Sequence, residues 1–136
     1  MKIVALSALA LTPLLAACAM TPQESARYQA REDKIAADLE RRLAGYEPGR
    51  PQSCIRPFRA DMTIYGDTLL YREGSTLYRT QTTGCSGLRR DDIVVTKSIN
   101  GELCRGDIVR TVDRSMGMLS GVCSFGDFVP YKRIKN

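Results

Sequence analysis

Asp92-Ile93-Val94-Val95-Thr96-Lys97-Ser98-Ile99-Asn100-Gly101-Glu102-Leu103-Cys104-Arg105-Gly106-Asp107-Ile108-Val109-Arg110-Thr111-Val112-Asp113 decides the fold class. Its first arm, Asp92 to Ile99, is rich in β-branched residues, which suit a pleated, half-buried surface. Asn100-Gly101 follows, the strongest short hairpin signal, because both residues tolerate the positive φ of a type I′ turn. The second arm, Glu102 to Asp113, returns, and Gly106 within it marks a bulge. The same texture extends both ways along the chain. Phe58 to Tyr65, Thr68 to Arg72 and Thr76 to Thr80 read as strands, separated by turns at Gly66-Asp67 and Glu73-Gly74-Ser75. Phe128 to Ile134 reads as a closing edge strand, with Pro130 where no ladder donor is needed. Short strands with regularly spaced turns predict a mainly β domain over 54–136, an antiparallel sheet rolled into a small barrel or sandwich.

Upstream the pattern changes to a helix. Thr21 caps, Pro22 suits the first helical position, and Glu24 completes a capping box. No further proline or glycine occurs before Gly45, which supplies the stop. Tyr28, Ile35, Leu39 and Leu43 line one face of this amphipathic segment. About 23 residues reach roughly 35 Å at 1.5 Å per residue, enough for a stalk beneath the β domain. Tyr46 to Ser53, containing Pro48-Gly49 and Pro51, reads as a turn-rich linker.

Ahead of the helix lies an apolar run from Ile3 to Leu15 behind a single Lys2, ending at Leu15-Ala16-Ala17-Cys18. A positive start, a short hydrophobic stretch and small residues before a cut describe an export signal. The run is shorter than the roughly 20 residues a membrane span needs, and Pro13 interrupts it. With cysteine after the cut, the stretch resembles the lipobox of bacterial lipoprotein precursors. The resemblance implies a signal peptide over 1–17 and acyl chains on Cys18. It further implies a mature chain over 18–136 held on a membrane by that lipid. Ala19 stands where a retention signal often has aspartate, so the expected location is the periplasmic face of the outer membrane. The four later cysteines, Cys54, Cys85, Cys104 and Cys123, read as two disulfides, because an exported chain folds in an oxidising compartment. A zinc site is the competing reading, but no close C-x₂₋₄-C pair is present. In a hairpin centred on Asn100-Gly101, Cys104 stands across from about Lys97, far along the strand from Cys85. Cys123 follows the other end of the returning strand, which favours Cys85–Cys123 with Cys54–Cys104.

The chain carries a net charge of +5, has no histidine and has no tryptophan. Without histidine the commonest general base and transition-metal ligand are missing, and no Ser-His-Asp, Cys-His or H-E-x-x-H arrangement is possible. Gly121-Val122-Cys123-Ser124-Phe125-Gly126 misses G-x-S-x-G because Val122 stands at the first glycine position. No cofactor or metal motif is found. The positive excess lies from Cys54 onward, without a basic stripe or stacking platforms, so nucleic acid is not an expected partner. Aspartates at turns mostly bond local backbone. Asp91-Asp92, Asp107, Asp113 and Asp127 are nevertheless the carboxylates that could form a glycosidase-like pair, Asp107 and Asp127 being the ones within the motifs quoted below. Arg89 and Arg90 are the candidates for contact with an anion.

The body from Cys54 resembles a set of small uncharacterised four-cysteine proteobacterial envelope proteins. The resemblance rests on Cys54-Ile55, Asp67-Thr68-Leu69-Leu70-Tyr71 and Cys85-Ser86-Gly87-Leu88, the family having proline where this chain has Ser86. It continues in Leu103-Cys104-Arg105-Gly106-Asp107-Ile108 and Gly121-Val122-Cys123-Ser124-Phe125-Gly126-Asp127-Phe128. It implies a class of protein and carries over no catalytic residue. The expected function is a non-catalytic envelope lipoprotein that binds a protein or an envelope polymer through its β domain. The alternatives are an inhibitor of a cell-wall-degrading enzyme, which a basic chain would approach against repulsion, and an aspartate-dependent hydrolase. An exposed apolar groove on the β domain would favour binding.

Overall fold

Thr21 opens the first element as the sequence requires. Its hydroxyl accepts the Glu24 N–H at 3.2 Å, and the Glu24 carboxylate accepts the Thr21 N–H at 2.9 Å. The computed structural model describes residues 20–57, 60–98 and 100–135, and the expected lipidation site Cys18 lies outside them. Helix α1 spans Pro22–Leu43 and contains no fully buried residue. None of the described helices is long and apolar enough to cross a membrane.

Among the described residues nine strands follow: β1 Tyr46–Pro48, β2 Cys54–Ile55, β3 Asp61–Tyr65, β4 Thr68–Glu73, β5 Thr76–Thr83, β6 Ile93–Thr96, β7 Leu103–Cys104, β8 Ile108–Val112 and β9 Leu119–Arg133. A 3-10 turn, Ser86–Arg90, links β5 to β6. The main sheet runs β3-β4-β5-β9-β8-β6, all neighbours antiparallel, with β1 added to β9. It curls into a half-barrel, so the fold is mainly β with one preceding helix and two disulfides.

Three expectations are corrected. The Asn100-Gly101 turn forms, with φ of 57° and 77°, but it does not close a two-residue hairpin. Thr96 faces Val109, where that hairpin would place Arg105. The chain between β6 and β8 instead makes an excursion in which β7 pairs with β2, setting Cys104 opposite Cys54 rather than Lys97. A disulfide fixes this pairing (Cα–Cα 4.0 Å), and Cys85–Cys123 is the second (5.0 Å). The expected connectivity is therefore right although the hairpin register behind it is not.

The second correction concerns the last strand. It begins at Leu119, not Phe128, and lies at the centre of the sheet between β5 and β8. Its inward alternation changes phase at a bulge: Thr82 faces Phe125 while Thr80 faces Phe128. Gly126 sits in the bulge, where a Cβ would stand 2.8 Å from the Gln81 carbonyl oxygen. Only glycine lets the two backbones approach so closely. Pro130 breaks no ladder. Its carbonyl accepts from Gly49 at 2.7 Å on the β1 side, and across β5 it faces Tyr78. Third, residues 46–53 are stitched to this strand rather than hanging as a linker. Tyr46 pairs with Arg133, and Gln52 exchanges both backbone bonds with Phe128 at 2.9 Å.

The concave side holds the core. Leu69, Val109 and Phe128 are fully buried there, with Phe125, Tyr71, Leu88 and the Cys85–Cys123 bridge around them. Ile55 and Leu103, from the small β2–β7 ladder, plug the same core. Register places Leu70, Leu77, Arg79 and Tyr131 on the opposite, outer side. Leu70 and Leu77 are buried nonetheless. The cover on that side is α1, whose Ala36, Leu39 and Leu43 share a cleft with Arg79 and Tyr131.

Candidate functional site

Arg89 is committed within the fold. Its guanidinium donates to both Asp67 carboxylate oxygens, at 3.2 and 2.6 Å, and to Glu32 of α1, while stacking 5.8 Å from the centre of the Tyr28 ring. The Asp67 bonds, then the charges of Asp67 and Glu32, hold it protonated even more firmly than usual. Expected as a contact for an outside anion, Arg89 instead clamps α1 to the β3–β4 turn. Arg90 donates to the Ser120 carbonyl at 3.3 Å and lies 3.6 Å from the Asp92 carboxylate.

The aspartates are likewise engaged. The Asp107 carboxylate accepts the Cys104 N–H at 2.7 Å, and the Asp107 N–H donates back to the Cys104 carbonyl at 3.0 Å. Together these bonds fasten the turn between β7 and β8. Asp127 pairs with Arg105 of that turn at 3.2 Å. Asp107 and Asp127 thus serve one end of the sheet, Arg89 belongs to the helix clamp, and no shared site unites them. Glu102 stands near Cys54 and Cys104 with the spacing of a metal cluster. Those two sulfurs are bonded to each other, and Glu102 accepts from Arg56 at 2.7 Å.

A buried polar knot was not anticipated. Ser120 donates to Asp92 at 2.5 Å and bonds the fully buried Thr111 hydroxyl at 3.0 Å. Gly87 packs over it: a Cβ there would stand 2.6 Å from Thr111 Cβ and 2.7 Å from an Asp92 oxygen. The knot seats the 3-10 turn on β8. Buried groups of this kind are satisfied pairwise, which is what a structural role requires.

The outer face beyond α1 is different. On β9, β8 and β6, register forms three cross-strand rows: Leu119-Val112-Ile93, Val122-Arg110-Val95 and Ser124-Ile108, the last running out towards Lys97. Apart from half-buried Val112, the apolar members Ile93, Val95, Ile108, Leu119 and Val122 are 42–61 % exposed. A groove of about 320 Å³ runs between Val95, Lys97, Ile108 and Arg110. At one end the β8–β9 turn displays Met116 and Met118, both largely exposed. The Asp113 carboxylate organises that turn, accepting from the Ser115 hydroxyl at 2.6 Å and from the Ser115 and Met116 N–H groups at 2.8 Å. These bonds, the Ser115 hydroxyl foremost, hold the Asp113 carboxyl below its ordinary range. One half of the outer face is therefore covered by α1, and the other half is bare and largely apolar around the exposed Arg110. A contiguous exposed apolar patch on a folded domain marks an interaction surface.

Known protein families, curated proteins and solved structures contain no match to this chain. The fold and its surface define the class by geometry: a disulfide-bonded antiparallel half-barrel with a helix over one half of its outer face. Sequence reasoning missed the bare half, although a signal was present. Ile93-Val94-Val95, Ile108-Val109 and Val122-Cys123 put apolar side chains on both faces of their strands, the pattern of strands covered on two sides.

Proposed function

We propose that this chain is a non-catalytic envelope lipoprotein, anchored through Cys18 on the periplasmic face of the outer membrane, whose β domain binds another envelope protein. The observation that carries the reading is the bare apolar half of the outer face. Covering half-exposed Ile93, Val95, Ile108, Leu119 and Val122 contributes on the order of 1 kcal/mol each, which suits a protein surface better than a polar glycan. Arg89, Asp107 and Asp127, the side chains with the most chemistry, are occupied in holding the fold, which favours binding over turnover.

The anchor is tested by Cys18→Ser, expected to abolish acyl labelling and to release the protein or trap its precursor. Persistent palmitate labelling of that variant refutes the lipobox reading. The surface is tested by crosslinked capture from intact envelope with wild type, Ile108→Glu and Val122→Glu. Graded loss of one defined partner across the two variants is expected. Undiminished capture by both would show that the bare half is not the binding surface. Turnover of cell-wall or lipid substrate by the purified protein, abolished by Asp107→Asn or Asp127→Asn with the fold intact, would replace binding with catalysis.

A further inference from the structure

Asp67 marks one level across the molecule. Its carboxylate holds Arg89, which also holds Glu32 of α1. Its carbonyl accepts the Thr82 N–H at 2.8 Å, and Thr82 faces Phe125 of β9. A second level is the cleft that Leu39 and Leu43 of α1 share with Tyr131 of β9. From the second level to the first, α1 runs back towards its N-terminus and β9 back towards its start. Both continue past Asp67 by comparable lengths. From Glu32 to Met20 the chain adds about 18 Å at 1.5 Å per residue. From Phe125 to Leu119 the strand adds about 20 Å at 3.3 Å per residue. Residues 20–31 and 114–119 are all exposed. Two prongs therefore leave the same end of the sheet, one tipped by Met20 and the other by Met116 and Met118, all three more than half exposed.

We infer that this end of the β domain seats on a lipid surface, with the Met116-Gly117-Met118 turn dipping into the membrane interface beside the anchor. The inference rests on the Cys18 anchor proposed above, and the chain length between anchor and prong selects the occupant. Met20 is two residues from Cys18, at most about 7 Å of chain. A lipid on Cys18 thus brings Met20 to the membrane, and the β8–β9 turn, reaching as far past Asp67, arrives with it. The side chains suit that place. Methionine is unbranched and apolar, and adapts to an irregular surface. Arg114 in the turn, and Arg27 and Arg31 on α1, are exposed beside the tips. Their stems can lie along apolar surface while the guanidinium stays with lipid phosphates. Glu24 and Asp113 are turned back onto the N–H groups of Thr21, Ser115 and Met116, and exposed Asp91 lies 3.8 Å from Arg114. A tip this small adds to the acyl anchor without replacing it, since stable attachment takes more than one weak signal. The bare half of the outer face then rises from the membrane with its Leu119-Val112-Ile93 row lowest.

The test couples the mature chain, 18–136, through the Cys18 thiol to a maleimide lipid in vesicles of phosphatidylethanolamine and phosphatidylglycerol. The chain has no tryptophan, so Met118→Trp carries a single reporter. Its emission should shift to the blue on coupling and be quenched by lipids brominated high on the acyl chain. Met116→Trp should behave alike. Ser75→Trp, in the β4–β5 turn at the opposite end of the sheet, should stay unquenched. Adding Met116→Glu to Met118→Trp should abolish most of the quenching, whereas adding Ile108→Glu should leave it unchanged. Coupling supplies the anchor chemically, so the result holds whether or not the cell acylates Cys18, which palmitate labelling decides. Unquenched tryptophan at both 116 and 118 overturns the inference. Equal quenching at position 75 also overturns it, because the tethered domain then has no fixed seat. Blue emission from Met118→Trp before coupling overturns it as well, because the turn is then covered by a second copy of the chain.

Discussion

Tyr71 is buried with Phe125 at 6.3 Å and Phe128 at 6.4 Å between ring centroids, and its hydroxyl finds no hydrogen-bond partner. Burial pushes the phenol well above its ordinary pKa, so it stays neutral under all ordinary conditions. An unpaired buried hydroxyl costs about 1–3 kcal/mol of desolvation. Tyr71→Phe keeps the ring packing and should therefore be neutral or stabilising in urea unfolding. A clear loss of stability would show that the hydroxyl bonds a buried water. Asp113 works in the opposite sense, as an ionised acceptor whose folded pKa is depressed. Its contribution is complete above the unfolded carboxylate pKa and is lost as pH falls through the lower folded value. The Met116 and Met118 methyl resonances should therefore hold their neutral-pH shifts through pH 5 and move only in strong acid. Asp113→Ala should move them at pH 7.

At the scale of elements, one guanidinium joins helix to sheet. Arg89, Glu32 and Asp67 have side chains roughly one-quarter to one-third exposed. Removing the cation leaves two partly desolvated carboxylates facing each other. Arg89→Met should cost about 1–2 kcal/mol and raise amide exchange in α1 while β4, β5 and β9 stay protected. Uniform exchange across helix and sheet would instead make α1 part of the same cooperative unit. Such a clamp is invisible in sequence because its members are brought together only by the fold. The start of α1 was legible because a capping box is a contact within four residues. Most of the strands were legible because turn residues punctuate them locally. The Asn100-Gly101 turn was legible, yet the strand register around it was not: the choice between pairing Cys104 with Lys97 or with Cys54 depends on residues fifty positions upstream. The central place of β9 was hidden for a similar reason. Gly121, Ser124, Gly126 and Asp127 look like loop in isolation, and only the close approach of Gln81 explains the glycine of the bulge.

Across the whole molecule, the two disulfides link different levels of the structure. Protein made by export should show no free thiol at Cys54, Cys85, Cys104 or Cys123 in intact-mass analysis after alkylation without reductant. Their separations of 50 and 38 residues give nearly equal loop-closure contributions, about 4 kcal/mol each in the chain-entropy model. Burial separates them. Cys85 and Cys123 lie inside the main core, tying the 3-10 turn to the central strand, whereas Cys54 and Cys104 are half-buried on the two-residue β2–β7 ladder. Cys85→Ala with Cys123→Ala therefore loses core contacts in addition to the cross-link. Cys54→Ala with Cys104→Ala releases a ladder too short to persist alone. The first pair should lower the denaturant midpoint further and speed exchange throughout β5, β8 and β9. The second should speed exchange at Gln52, Ile55, Leu103 and Arg105 well before the main sheet opens. Equal midpoints with global exchange in both variants would mean that β2–β7 opens only when the main sheet does. The plug of Ile55 and Leu103, rather than the bridge behind it, would then join the ladder to the half-barrel.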